Sequence, residues 1–136
     1  MLFIYKIEFC LITLMILNYT DAFITIATPD FDKAIAFYSQ LLSQQPKPYT
    51  PNVYAQFQLK SLRLAIFKPK KGNEAEFNNS RNSGLSICLE VEDLSAAIAH
   101  LQEMGYPPSG DVTVASHGSE IYAYDPMHNR LILHQQ

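Results

Sequence analysis

A chain of 136 residues, 48% of them apolar, is long enough for one compact domain and too short for two independent cores. A formal net charge of -3 with 17% charged residues gives no strong field of either sign, which excludes the electrostatic footprint of a nucleic-acid-binding protein. The two cysteines, Cys10 and Cys88, match neither a disulfide framework nor zinc-ligand spacing, so the body of the chain fits a reducing compartment such as the cytoplasm.

Residues 1–20, MLFIYKIEFCLITLMILNYT, form an apolar leader. Its charge-free stretch, Phe9 to Thr20, is shorter than the roughly 20 apolar residues that span a bilayer. As a signal peptide it would have Lys6 as its only basic residue, Glu8 beside its apolar centre and no clear small-residue cleavage site. Three readings stay open: a start codon placed upstream of a true start at Met15, a signal or membrane anchor that exports or tethers the protein, and an extra strand or helix packed on the domain. Domain reasoning starts at Asp21.

Phe23 to Ala27 alternates around β-formers and predicts a strand. Thr28, Pro29 and Asp30 predict a capped helix start with proline at the first helical position. Phe31, Ile35 and Tyr38 or Leu42 then recur at helical spacing, giving one buried stripe. Strands follow at Tyr54 to Leu59 and Leu62 to Phe67, joined by a tight Lys60-Ser61 connection, with a short strand near Pro48 and Tyr49. The polar run KPKKGNEAEFNNSRNSG reads as an exposed linker, with a lid over a pocket as the alternative.

Beyond the linker the same order returns. Ser86 to Val91 predicts a strand, Glu92 and Asp93 place negative charge at a helix start, and Leu94, Ile98 and Leu101 form the helical stripe. Gly105 ends this helix and Pro107-Pro108 prevents its continuation. Strands at Val112 to Ala115, Glu120 to Tyr124 and Arg130 to His134 complete the chain, the last two joined by Asp125-Pro126-Met127-His128-Asn129.

The two halves also match residue for residue. FITIATPDFDKAIAFY (23–38) aligns without a gap on SICLEVEDLSAAIAHL (86–101), both carrying Asp, an apolar residue, two variable residues and Ala-Ile-Ala. The predicted fold class is therefore α+β, built from tandem βαβββ modules: module one at about 21–68, a linker at 69–83 and module two at 84–136.

Tandem βαβββ modules, the D-F-D-K-A-I-A-F-Y run and the closing Y-D-P-M-H-N-R-L-I-L-H resemble the vicinal-oxygen-chelate superfamily, which includes glyoxalases, bleomycin-resistance proteins and extradiol-type dioxygenases. The resemblance runs from Phe23 to His134. It implies a cupped mixed β-sheet, homodimerisation, and a divalent metal held by one side chain from the first and last strand of each module. Those positions fall at Phe23, Ala65, Ser86 and Ile132, none an ordinary ligand for a divalent cation. No metal and no other cofactor is expected there, and Lewis-acid chemistry through that site is closed. Gly118 to Ala123 also resembles a segment of the fosfomycin-resistance enzymes, with Ser119 where they carry arginine.

A displaced metal site using Glu90 and His134 is the alternative, because His134 shares a strand face with Ile132 and Glu90 shares one with Ser86. His117 and His128 fall in predicted loops and His100 on the helix surface. Cys88 reads as a buried structural cysteine; a nucleophilic role would need a lowered pKa, which Glu90 opposes. Tyr54, Tyr122 and Tyr124 are candidates for an aromatic lining.

The sequence thus predicts a metal-free, non-catalytic protein that binds or sequesters an unidentified small molecule. Phe23, Phe67 and Ile132 would supply apolar wall, and Arg63, Ser86, Glu90 and His134 polar contacts. A metal-dependent lyase or dioxygenase with a displaced site, and a non-catalytic dimerisation module, are the alternatives.

Overall fold

Six parallel and antiparallel pairings place each module's strands in its own sheet. A computed structural model describes residues 17, 18 and 20–136. The readings of the leader, Met15 and Cys10 fall outside the described residues. Module one contributes β1 (Ile24–Ala27), α1 (Phe31–Leu42), β2 (Tyr49–Thr50), β3 (Tyr54–Gln58) and β4 (Arg63–Phe67). Module two contributes β5 (Ser86–Glu90), α2 (Leu94–Glu103), β6 (Thr113–Ala115), β7 (Gly118–Tyr124) and β8 (Arg130–Gln135). The sheets run β1-β4-β3-β2 and β5-β8-β7-β6, with β1 parallel to β4, β5 parallel to β8, and the remaining pairs antiparallel.

The α1 start differs from its expected position. The helix begins at Phe31 with Asp30 as N-cap, not at Pro29. Thr28 explains the delay: its amide donates to the Phe67 carbonyl, extending the β1–β4 ladder, while its buried hydroxyl accepts from the Asp30 amide. α2 follows its expected start, with the Asp93 carboxylate accepting from the Ala96 amide. β7 begins two residues earlier than expected, at Gly118, because that glycine pairs with Ala115.

Strand alternation gives every sheet a packed face and an opposite face. On the packed side, Leu64, Ile66, Ile121, Ala123, Leu131 and Leu133 join Phe31, Ala34, Phe37, Tyr38, Leu94 and Leu101 from the helices in one apolar core. Burying each of the leucine, isoleucine and phenylalanine side chains among them contributes about 1.5–3 kcal/mol. The α1 stripe is wider than the expected one: Phe31, Ala34, Phe37 and Tyr38 are buried, while Ile35 is half-buried. α1 also meets module two, through an edge-on contact at 5.0 Å between Phe37 and Tyr106, just past α2, and a 3.0 Å bond in which His100 Nε2 on α2 donates to the Gln40 carbonyl.

The Asp125 turn locks the two modules. Its buried carboxylate accepts from the Tyr38 hydroxyl at 2.7 Å, from the Met127 and Asn129 amides and from Asn129 Nδ2. Burial, with the adjacent Asp125 charge, raises the Tyr38 phenol well above its usual pKa of 10.0. Above that pH the unfolded chain gives up this proton while the folded protein retains it. The native state then holds more protons, so stability falls as pH rises from 10 through the folded value. Urea titrations between pH 9 and 11 are expected to show this decline, and Tyr38→Phe is expected to flatten it; an unchanged slope in that variant would contradict the assignment.

Candidate functional site

β1 and β5, the outermost strands of the two sheets among the described residues, line a seam between the sheets. A cavity of about 250 Å³ opens there, lined by Ile24, Thr25, Ile26, Leu62, Ser83, Leu85, Ser86, Ile87, Cys88, Asn129 and Arg130. A second of about 250 Å³ adjoins it, sharing Thr25, Ile26, Ser83 and Asn129 and bounded by Glu76, Phe77, Asn79 and Ser80. The linker therefore forms part of a wall. It folds into 3-10 turns at Glu74–Phe77 and Ser80–Asn82, and Phe77 packs edge-on against Phe67 at 5.7 Å. Most of the linker is exposed, and that aromatic contact and a 3.1 Å bond between Arg81 and His128 tie it to the two modules.

Arginines occupy matching places in the modules. β1 pairs with β4 as β5 pairs with β8, so Phe23 and Arg63 correspond to Ser86 and Arg130. In module two, Arg130 Nε donates to Ser86 Oγ at 2.7 Å and its Nη2 to the Ser83 carbonyl at 2.9 Å. In module one the serine is replaced by Phe23, whose ring lies 4.5 Å below the Arg63 guanidinium. Arg63 also pairs with Asp21, and this hydrogen bond holds the exposed Asp21 carboxyl below its usual range. Its Nε is buried and has no partner among the described residues. The internal repeat supplies the reason, because no hydroxyl stands opposite it.

The positions that the resemblance assigns to a metal do not fit one. Ala65 is fully buried and Phe23 and Ile132 offer no donor. Ser86 already binds a guanidinium, whose positive charge opposes a second cation beside it.

The seven candidate pocket residues separate into groups. Phe23 joins Arg63, Phe67 joins Phe77, and Ser86 joins Arg130, but of the seven only Ser86 lines either seam cavity. Ile132 lies between Cys88 and Tyr122 on the opposite face of the second sheet. Glu90 and His134 pair at 2.7 Å at the far end of that face. Tyr54, Tyr122 and Tyr124 line neither seam cavity.

The sheet register continues the Glu90–His134 pair to Glu120 on β7. His117, in the β6–β7 turn, closes the group with its Nδ1 3.0 Å from His134 Nε2. One ligand atom from each of His117, Glu120 and His134 lies within 4.8 Å of the others. The Glu90 hydrogen bond raises the His134 pKa, against a smaller desolvation effect. Sequence reasoning paired Glu90 with His134 and missed Glu120 and His117. Glu120 was detectable from strand alternation; His117 depends on a turn conformation.

Gly118 fixes that turn. Its φ is +128°, and a Cβ there would drive into the Gln135 carbonyl oxygen. Cys88 is corrected from buried to exposed. Partial desolvation, then Glu90 and Glu120, push its thiol pKa up, which disfavours the thiolate a nucleophile needs.

The family model for the glyoxalase/bleomycin resistance protein/dioxygenase superfamily matches residues 23–124. A glyoxalase/bleomycin resistance protein from Catenulispora acidiphila is 22% identical, with a TM-score of 0.64 over 87% of this chain and 99% of that one. The bleomycin resistance determinant encoded on transposon Tn5 is 20% identical, with a TM-score of 0.62 over 87% and 98%. A fosfomycin resistance protein from Listeria monocytogenes is 17% identical, with a TM-score of 0.69 over 88% and 95%. These similarities show the fold. No curated protein matches. Among the described residues, no helix is long and apolar enough to cross a membrane.

Proposed function

The chain belongs to the glyoxalase/bleomycin resistance protein/dioxygenase superfamily, and from that premise we propose that it binds or sequesters a small apolar molecule bearing an acidic or carbonyl oxygen. The observation that carries this reading is the seam. Two adjoining cavities of about 250 Å³ each bring the space into the range of small-molecule sites, about 300–1,000 Å³. Ile24, Ile26, Leu62, Leu85 and Ile87 supply apolar wall, and Arg130 supplies a charged hydrogen-bond donor. Ser86 and Ser83 hold Nε and Nη2 of Arg130, which orients the guanidinium and leaves Nη1 for a ligand oxygen. Binding of this kind needs no metal at Phe23, Ala65, Ser86 or Ile132. Similarity to bleomycin- and fosfomycin-resistance proteins supports a pocket for a small molecule.

The anionic dye 8-anilinonaphthalene-1-sulfonate combines aromatic surface with an acidic group and serves as the probe. Saturable fluorescence enhancement at one site per chain is expected. Leu85 is 77% exposed, so Leu85→Glu can introduce a negative charge at the seam without emptying the core. It is expected to weaken the dye at least about tenfold, equivalent to about 1.4 kcal/mol. Equal affinity in this variant would exclude the seam as the binding site.

A further inference from the structure

We propose that His117, Glu120 and His134 form a binding site for a divalent first-row transition-metal ion, with Glu90 orienting His134. The site is distinct from the four family positions. It lies four residues along β5 and β8 from Ser86 and Arg130, about 13 Å at the usual rise of a strand. It does not depend on ligand binding at the seam.

The donor set suits such an ion. Two imidazoles and one carboxylate favour a borderline first-row cation over magnesium or calcium and leave coordination positions for water. Their ligand atoms already lie within 4.8 Å of one another.

Glu90 supplies the orientation. Its carboxylate accepts from His134 Nδ1, contacting it at 2.7 and 2.9 Å through its two oxygens. A proton on Nδ1 leaves the Nε2 lone pair directed toward His117. This carboxylate–histidine arrangement fixes the tautomer and increases the basicity of a metal-binding imidazole. Without an ion, Nε2 accepts a hydrogen bond from His117 Nδ1. With one, His117 carries its proton on Nε2, and its exposed ring swings until Nδ1 faces the ion.

Module one provides an internal comparison. By strand pairing, Ala27, Tyr54 and Phe67 stand where module two has Glu90, Glu120 and His134. The equivalent end of the first sheet has no imidazole or carboxylate at these three places. The concentration of ligand chemistry is therefore a property of module two and not of the repeated fold.

Isothermal titration of untagged, full-length protein with zinc chloride tests the proposal. One zinc per chain is expected, with a dissociation constant on the order of micromolar. His117→Ala and Glu120→Gln should each weaken binding at least about tenfold, and Glu90→Gln by about 10–100-fold. His100→Ala and His128→Ala should leave it unchanged. Imidazole nitrogen NMR of the wild-type protein provides a second readout, independent of whether a variant folds. Zinc should shift His117 Nδ1 and His134 Nε2 and leave the His100 and His128 nitrogens in place. Absence of saturable binding at about 1 mM zinc, a value far above the expected constant, overturns the proposal. Undiminished binding in a folded His117→Ala/Glu120→Gln double variant, or zinc-induced shifts confined to His100 or His128, also overturns it.

Discussion

Replacing Asp125 with alanine is expected to lower the unfolding free energy by about 4 kcal/mol, a large share of the roughly 5–15 kcal/mol available to a domain of this kind. The carboxylate accepts four hydrogen bonds while almost wholly removed from water. Alanine leaves the Tyr38 hydroxyl and the turn amides without their acceptor. Each buried donor so deprived costs about 1–3 kcal/mol, and these losses do not add fully because the turn relaxes. Asp125→Asn should cost less: its carbonyl oxygen can retain the Met127 and Asn129 amides, but its amide group meets Asn129 Nδ2 donor to donor. Urea unfolding with matched slopes measures the difference. A loss below about 1 kcal/mol for Asp125→Ala would show that the network is not a principal tie between the modules.

Gly118→Ala is expected to cost about 3 kcal/mol or more, combining left-handed backbone strain with overpacking. A methyl group cannot fit because the neighbouring atoms are Gln135 and Gln136 backbone, not the end of a flexible side chain. Gly105→Ala is the control. Gly105 also has a positive φ, +90°, but a Cβ there meets open space. It should cost only the conformational part, about 1–2 kcal/mol. Thermal and urea unfolding of both variants separate the two contributions, and equal losses would disprove the clash. The Gly118 substitution should also displace His117, whose position depends on this turn.

The duplicated βαβββ order was legible because hydrophobic periodicity and the matching Ala-Ile-Ala segments report local geometry. Thr28 shows why a boundary was not: its amide belongs to the β1–β4 ladder, a contact between distant parts of the sequence. The candidate site divides the same way. Glu90 and His134 could be placed on faces by alternation, whereas joining them to Glu120 required the β7–β8 register. His117 required the backbone conformation of Gly118. Arg130 was overlooked because a lone arginine in a strand carries no local signal. Its importance follows from the pairing that brings it to Ser86 and from the repeat that sets Arg63 beside Phe23.

The pairing pattern also bears on how the chain reaches this structure. Every strand ladder among the described residues joins partners within one module. Neither sheet has to wait for the linker to close a long loop, and the entropic cost of that closure falls on the docking of two largely formed halves. Contacts across the linker, including Tyr38 with Asp125, then belong to the late, cooperative part of folding. Short-range assembly of this kind favours speed over a topology whose strands interleave between halves.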